Sequence, residues 1–332
     1  MTDLLISEAT LRGAAHSGVA RYMEHIIRAA GKRFGAGLAV VSAPRFPGSG
    51  RLHVQDVAVT AAAVLLRPRL FFSGYYGAAR VAAPQVFTVY DMIHELYVGA
   101  MDEKRRCLER AAALIAISHN TAADIVRIYP QVDPAKITVT HLGVDDAFFA
   151  PRQRSAPARP YYLYVGTRVG SKNFIRLVRA FAASGAGDRF DLRVVSRSGD
   201  FTAEERAAIG EAPVRLQAPL PEDDLVDAYA NAHALLYPSE YEGFGLPILE
   251  AMAAGTLVAA SRAASMPEAG GDVAFYFDPL DVASIAQTIA MIGALPPETR
   301  EERIAAGVRW ARTFTWQRCE DQTIALFERL LA

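Results

Sequence analysis

Cysteine is scarce in these 332 residues: Cys107 and Cys319 are the only two, and they lie far apart. That excludes a disulfide framework and any zinc site built mainly on cysteine, and it fits a reducing compartment. Long apolar runs are also missing. No stretch approaches the roughly 20 residues that a membrane helix needs, and the longest, near Thr60 to Leu66, is broken by Arg67 and Pro68. The opening MTDLLISEATLRG carries acid early and has no basic start before an apolar core, so it does not read as a signal peptide. The expected location is cytoplasmic. No Asp-x-Asp element offers to hold a divalent metal on a diphosphate. Lysine is rare too: Lys32, Lys104, Lys136 and Lys172 are all there are, and none stands in a recognisable pyridoxal phosphate context.

What is present describes an ordinary globular protein. Hydrophobic residues make up 52% and charged residues 21%, which leaves no place for extensive disorder. The length suits two domains better than one core. The net charge of -1 gives no general pull toward nucleic acid, and none is expected as a partner. The two halves differ: residues 1–155 hold 18 Lys and Arg against 13 Asp and Glu, and residues 156–332 hold 17 against 23. Drift in solvated surface charge would produce this. So would a basic half that meets an anionic membrane or a phosphorylated acceptor. Arg28, Lys32 and Arg33 on an amphipathic first helix, with Arg67, Arg69 and Lys104 to Arg106, are the residues for a peripheral attachment to the inner membrane.

Strand and helix signals alternate. Residues 14–34 carry Val19, Tyr22, Met23, Ile26 and Ile27 at helical spacing, and LAVVSA (38–43) reads as a buried strand. VFTVYDMI (86–93) begins as a strand. ALIAISHNTAADIVRIY (113–129) reads as strand, loop and helix, with Asn120 or Thr121 as N-cap. PRQRSAPARP (151–160) reads as a linker, and the pattern then restarts. Strands at YYLYVGT (161–167), DLRVVS (191–196), ALLYPS (234–239) and TLVAAS (256–261) alternate with helices at 172–183 and 247–255. Such alternation predicts parallel sheets wound by helices, in tandem, with ligands at the carboxyl ends of the strands. FTWQRCEDQTIALFERLLA (314–332) is an amphipathic helix in which Trp316 is core.

The chemistry concentrates in SEYEGFGLPILEAMAAG (239–255). Glu242 lies in a glycine-rich loop and Glu250 eight positions on, in the next helix. Gly243 and Gly245 let backbone approach a ligand closely. Phe244 and Leu246 would present N–H groups, and the helix beginning near Pro247 aims its positive end at the loop, which suits a phosphate. Carboxylates accept paired hydroxyl hydrogen bonds, so both glutamates suit sugar or ribose. A turn with two solvated glutamates would give the same spacing.

These segments resemble the large retaining glycosyltransferases of glycosyltransferase family 4, whose signature is one Glu, seven residues, and a second Glu. In the family's order follow SGVARY (17–22), TVYDMIHELY (88–97), AISHNTAADI (116–125), KITVTHLGVD (136–145), YLYVGTRVGSKN (162–173), LPEDDLVDAYANAHALLYPS (220–239) and ASMPEAGGDVAFYFDPLD (264–281), so the resemblance covers most of the chain. It implies an α/β protein of the GT-B fold: two Rossmann-like domains facing a central cleft. The expected division is an acceptor-side domain over 1–153, closed by the helix 314–332, and a nucleotide-sugar domain over 154–313.

The roles that the resemblance implies are these. Glu242 would hold hydroxyls of the transferred sugar and Glu250 the donor ribose. Phe244, Gly245 and Leu246 would offer backbone donors. Arg168 and Lys172, after Gly166, would grip the diphosphate, and both count among the catalytic candidates with Glu242. Gly18 would close over the phosphates. Leu220, with Arg197 nearby, would meet the base. The more usual His-Asp pair is replaced by Tyr90-Asp91, so Asp91 and His94 are candidates for positioning or acceptor activation, without an assigned base. His16, Ser118 and His119 are acceptor-side candidates, with helix capping as the bland reading for the 118–121 segment. The implied activity is metal-independent hexosyl transfer with no cofactor. GDP-mannose is the first choice of donor and a UDP-sugar the second, and a glycan or a lipid-linked (polyprenyl) acceptor would be used in surface-polysaccharide or lipopolysaccharide assembly. A nucleotide-sugar epimerase of the same fold and a non-catalytic glycan- or nucleotide-binding module are the alternatives.

Overall fold

The computed structural model describes residues 2–11, 18–45, 54–77, 79–152 and 157–332. Among them no helix is long and apolar enough to cross a membrane. The chain forms two compact units. One comprises residues up to Gly143 and from Trp316 to the end; the other is Val144–Thr315.

The first unit runs β1 (Leu4–Leu11), α1 (Gly18–Phe34), β2 (Leu38–Arg45), α2 (Val54–Leu66), β3 (Leu70–Ser73), β4 (Gln85–Val89), α3 (Ile93–Tyr97), α4 (Asp102–Arg110), β5 (Ala113–Ala116), α5 (His119–Ile128) and β6 (Ile137–Val139). The closing helix, here α13 (Trp316–Leu331), belongs to this unit. The strands pair in parallel in the order β2-β1-β3-β4-β5-β6. They read as near-continuous apolar runs because both faces of a parallel sheet are covered: β3, β4 and β5 are buried throughout. α13 buries Trp316, Cys319, Thr323, Leu326 and Phe327, a stripe of helical spacing. Trp316 stacks on His25 of α1 with ring centroids 4.3 Å apart, and Glu320 accepts from His25 at 2.7 Å and Arg28 at 2.9 Å.

The second unit runs β7 (Tyr161–Val165), α6 (Phe174–Ala183), β8 (Asp191–Val195), α7 (Ala203–Ile209), β9 (Val214–Gln217), α8 (Glu222–Ala230), β10 (Ala234–Tyr237), α9 (Leu246–Ala253), β11 (Leu257–Ser261), α10 (Met266–Gly270), β12 (Phe275–Phe277), α11 (Val282–Gly293) and α12 (Pro297–Ala311). Its parallel sheet has the order β12-β11-β10-β7-β8-β9. Alternate residues Tyr162, Tyr164, Leu192 and Val194 face a core with Phe174, Leu177, Val178 and Phe181 of α6 and Ile285, Ile289 and Ile292 of α11. Each such side chain contributes about 1.5–3 kcal/mol on burial, and truncating Phe181 to Ala would cost about 3–5 kcal/mol.

The second unit begins at Val144, ten residues before the expected division between 153 and 154 and seven before the expected linker. The Val144 amide donates to Phe314 O at 3.0 Å, and Phe148, fully buried, meets the Tyr229 ring edge at 5.9 Å. Residues 144–150 are therefore packed onto the second core. The flanking arginines are themselves tied down, Arg152 to Asp223 at 2.8 Å and Arg159 to Asp191 at 3.2 Å; residues 153–156 lie outside the described chain.

Candidate functional site

In an open parallel sheet, ligands sit outside the carboxyl ends of the strands where the strand order reverses. In the second unit that point lies between β7 and β10, since β8 and β9 continue to one side and β11 and β12 to the other. The two loops leaving it are Gly166–Lys172 and Pro238–Gly245. They meet: Lys172 Nζ lies 2.5 Å from Glu242 Oε1, with the side chains 25% and 11% exposed. The buried Tyr237 hydroxyl hydrogen-bonds the same carboxylate, and its pKa stands well above the usual range, first through burial and then through the charge of Glu242.

The Glu242 loop is held from several sides. Ser265, fully buried, points its hydroxyl at the carbonyls of Glu242 (2.8 Å) and Phe244 (3.0 Å). The Glu240 amide donates to Ser171 O at 2.7 Å, and Arg176 bonds Glu240 at 2.5 Å. Asn173, in a left-handed conformation at φ 56°, donates its side-chain amide to Pro238 O (3.1 Å) and Pro279 O (2.7 Å). Gly245 has φ 112°, which a residue with a Cβ rarely adopts. It starts α9, whose first turn no side chain caps. An uncapped helix N-terminus carries a partial positive charge of about half a unit. Four residues into that helix, Glu250 is buried and accepts from the Tyr229 hydroxyl at 3.0 Å.

Arg168 does not take the place expected for it. Its side chain is 1% exposed and paired with Glu205, Nε to Oε1 at 2.8 Å. Nη2 donates to the carbonyls of Gly199 (2.9 Å) and Asp200 (2.8 Å). Nη1 is buried. A guanidinium enclosed in this way is not open to a diphosphate, so Lys172 alone of the two expected cations stands beside Glu242. Leu220 and Arg197 line neighbouring hollows that share Gln217: Leu220 with Tyr161, Arg193 and Asp224, and Arg197 with Ser196, Asp200 and Pro219 in a cavity of about 450 Å³ between the ends of β8 and β9.

In the first unit the candidates end strands β4 and β5. Asp91 Oδ1 accepts from the Ile93 amide at 3.0 Å, and its carbonyl accepts from the buried Lys104 at 2.6 Å. His94 Nδ1 lies 2.8 Å from Gly99 O. A carbonyl only accepts, so Nδ1 is the donor of this bond. Ser118 is fully buried, and it, not Asn120 or Thr121, caps α5: its Oγ accepts from the Thr121 amide at 2.9 Å and donates to Thr121 Oγ1 at 3.0 Å. That pairing occupies the hydroxyl expected on the acceptor side. His119 is exposed and meets His141 edge-on at 5.5 Å. Gly18 begins α1. His16 lies outside the described residues.

Residues 146–310 match the family described as Glycosyl transferases group 1. The chain is 31% identical over 242 residues to an O-antigen chain mannosyltransferase B of Escherichia coli, covering 67% of this chain and 62% of that protein. It is 29% identical over 242 residues to an MMP alpha-(1->4)-mannosyltransferase of Mycolicibacterium hassiacum, covering 71% and 58%. The chain belongs to the group 1 glycosyltransferase family. It spans about three fifths of the length of these curated relatives. A solved glycosyltransferase from Rickettsia africae aligns over 99% of both chains with a TM-score of 0.73 at 16% identity. The two parallel-sheet, Rossmann-like halves are those of GT-B glycosyltransferases.

The stretch that matches this glycosyltransferase family lies within the second unit, where Lys172, Glu242, Glu250 and the uncapped α9 come together. The positioning groups Tyr237, Tyr229 and Ser265 escaped sequence reading because buried tyrosines in apolar strands and helices look like core. Among the cations gathered for a membrane surface, Lys104 is buried against Glu95 at 2.9 Å. Arg28 pairs with Glu320, Arg33 with Glu328, Arg69 with Asp3, and Arg105 with Asp102 and Glu109. Internal pairing weakens the electrostatic pull that this row would exert on anionic lipid.

Proposed function

We propose that the chain transfers a hexose, mannose in the first instance, from a nucleoside-diphosphate sugar to a glycan or lipid-linked acceptor. The observation that carries this reading is the Lys172–Glu242 pair at the strand-order reversal, beside the uncapped start of α9. A diphosphate there meets a flexible point charge and the backbone N–H groups of Gly245 and Leu246 at the start of α9, where Pro247 has none to offer. Departure of the nucleoside diphosphate builds negative charge on the leaving oxygen, and Lys172 with the α9 N-terminus stabilises it. Glu242, freed from Lys172 by the phosphate, accepts sugar hydroxyls, while Glu250, oriented by Tyr229, accepts those of the ribose. No carboxylate is assigned as nucleophile: the acceptor approaches the same face, its proton passes to the leaving phosphate oxygen, and the anomeric configuration is retained. The cavity at the ends of β8 and β9 takes the base, guanine before uracil. Support for mannose is the naming of both relatives as mannosyltransferases, and the O-antigen relative supports a role in surface polysaccharide assembly.

The test is thermal stabilisation by GDP, UDP, ADP and TDP, each with and without EDTA, because a ligand that binds only the folded state raises Tm by mass action. The expected result is a shift of several degrees with GDP that EDTA leaves unchanged. No shift with any nucleotide would refute the donor site.

A further inference from the structure

The Arg168 side chain is buried near the site, and its hydrogen bonds have a direction. Those of Nε and Nη2 all run into one segment, residues 199–205, while Nη1 has no hydrogen-bond partner among the described residues. The Arg168 amide donates to Ser198 Oγ at 3.0 Å, and Nη2 binds the Gly199 and Asp200 carbonyls. The guanidinium lies 4.9 Å from the Phe201 ring centroid and 5.7 Å from that of Phe174, and the two rings stack at 6.0 Å with 9° between planes. Glu205 holds Nε, and the same carboxylate closes the Thr202 capping box that starts α7. The Arg168 side chain therefore fixes Gly199 to Thr202, directly or through Glu205, and its backbone amide holds Ser198.

That segment is one wall of the 450 Å³ cavity. Arg197 and Asp200 line it, facing Leu216 to Pro219 at the end of β9. Both side chains are exposed and have no protein partner among the described residues. The wall thus offers a five-donor fork and a two-oxygen acceptor. Guanine presents two adjacent acceptors, O6 and N7, and two adjacent donors, N1–H and the N2 amino group, and so satisfies both groups at once. Uracil and adenine satisfy one and leave the other incompletely paired, which a polar pocket penalises.

We infer that Arg168 is a positioning residue that builds the base-reading wall, with Arg197 and Asp200 as the guanine-reading pair, and that it does not bind phosphate. This rests on the donor site proposed above. Calorimetric titration of the full chain with GMP, GDP and UDP, and competition by inorganic pyrophosphate, separates the two roles. Arg168→Lys keeps a charge for Glu205 but lacks the fork that reaches both carbonyls. It is expected to weaken GMP and GDP equally, by about tenfold, to shrink the preference for GDP over UDP, and to leave pyrophosphate unaffected. Lys172→Ala is expected to weaken GDP and pyrophosphate while barely changing GMP's base-dependent preference. Asp200→Asn, an exposed change that spares the fold, is expected to lower the GDP-over-UDP preference about ten- to hundredfold. A loss in Arg168→Lys that grows with each phosphate, or an unchanged preference in Asp200→Asn, would overturn the inference while leaving the donor site standing. Failure of the unaltered chain to bind any nucleotide would sink the donor site itself, and this inference with it.

Discussion

If Lys172 and Glu242 form one electrostatic unit, their removal is not additive. The pair is neither a surface ion pair, worth about 0.2–1 kcal/mol, nor a fully enclosed one, whose breakage costs about 3–5 kcal/mol. With Glu242 11% and Lys172 25% exposed, the coupling belongs between, at about 1–2 kcal/mol. Lys172→Met leaves a carboxylate whose remaining close partner is the Tyr237 hydroxyl, so it should cost about 2 kcal/mol. Glu242→Gln keeps an acceptor for Lys172 and should cost about 1 kcal/mol, and the double variant no more than the larger single loss. The two tryptophans make the assay local, because Trp310 lies in the second unit and Trp316 in the first. In a Trp316→Phe background, Trp310 fluorescence in urea follows the second unit alone, and the midpoint shift at constant slope gives the free energy. Repeating the cycle with saturating GDP adds a second check: a phosphate that takes over Lys172 should shrink the coupling. Single losses that sum to the double loss within about 0.5 kcal/mol would show that the pair contributes nothing and would remove the basis for the proposed switch of partners.

Gly245→Ala places a Cβ 3.3 Å from Ala269 Cβ and Ile248 Cδ1 at φ 112°; a loss of about 1–3 kcal/mol in stability and a raised donor KM are expected, and an unchanged KM would separate the turn from the site. His233, packed between Tyr162 and Phe190, has its pKa lowered to about 4, first by burial and then by Arg300. Its unfolded form therefore binds a proton between about 6.5 and 4 that the folded form refuses, so stability is complete above pH 6.5 and falls as pH drops through that window, by about 1–2 kcal/mol after solvent screening; a His233→Gln variant that keeps the full acid dependence would contradict this. Lys104→Met strands Glu95, whose side chain is 1% exposed, beside Tyr129, and should cost about 3–5 kcal/mol, read from Trp316 fluorescence; adding Glu95→Gln should recover part of it. For metal removal, GDP affinity is expected to stay within about twofold between EDTA and millimolar Mg²⁺, and a tenfold gain with Mg²⁺ would refute metal independence.

The fold was legible where one signal sufficed. Parallel strands buried on both faces have to be apolar runs, and helices between them have to show a single apolar stripe, so β7, β8, β10, β11, α6 and α13 stood out. Glycine and proline marked the Glu242 loop and the helix after it, but the spacing of the glutamates also fitted a solvated turn; their burial depends on Lys172 and Tyr229, which the spacing does not name. What escaped depended on partners distant in sequence. Arg168 and Lys172 are four residues apart and equivalent as text. Glu205, 37 positions from Arg168, draws one inward, and Glu242, 70 positions from Lys172, holds the other at the site. Ser118 outcompeted Asn120 as the cap of α5 because its short hydroxyl reaches the Thr121 amide while Asn120 bonds Asp124 along the helix.

The relocation of Arg168 changes the charge balance that any donor must meet. A nucleoside-diphosphate sugar brings two negative charges, and the Glu242 and Glu250 carboxylates add two more. Arg168 cannot offset them, since Glu205 neutralises it in place. Lys172 and the α9 N-terminus supply about one and a half positive charges. The site without a ligand is close to neutral, and the Lys172–Glu242 pair is the form that neutrality takes. On the proposed reading, binding would exchange one partner of Lys172 for another, and Glu242 would become available to sugar hydroxyls once phosphate is present. A free sugar would meet a carboxylate already engaged, whereas a nucleotide sugar would bring the anion that releases it. The same pair that stabilises the resting site would thus make sugar recognition conditional on the leaving group.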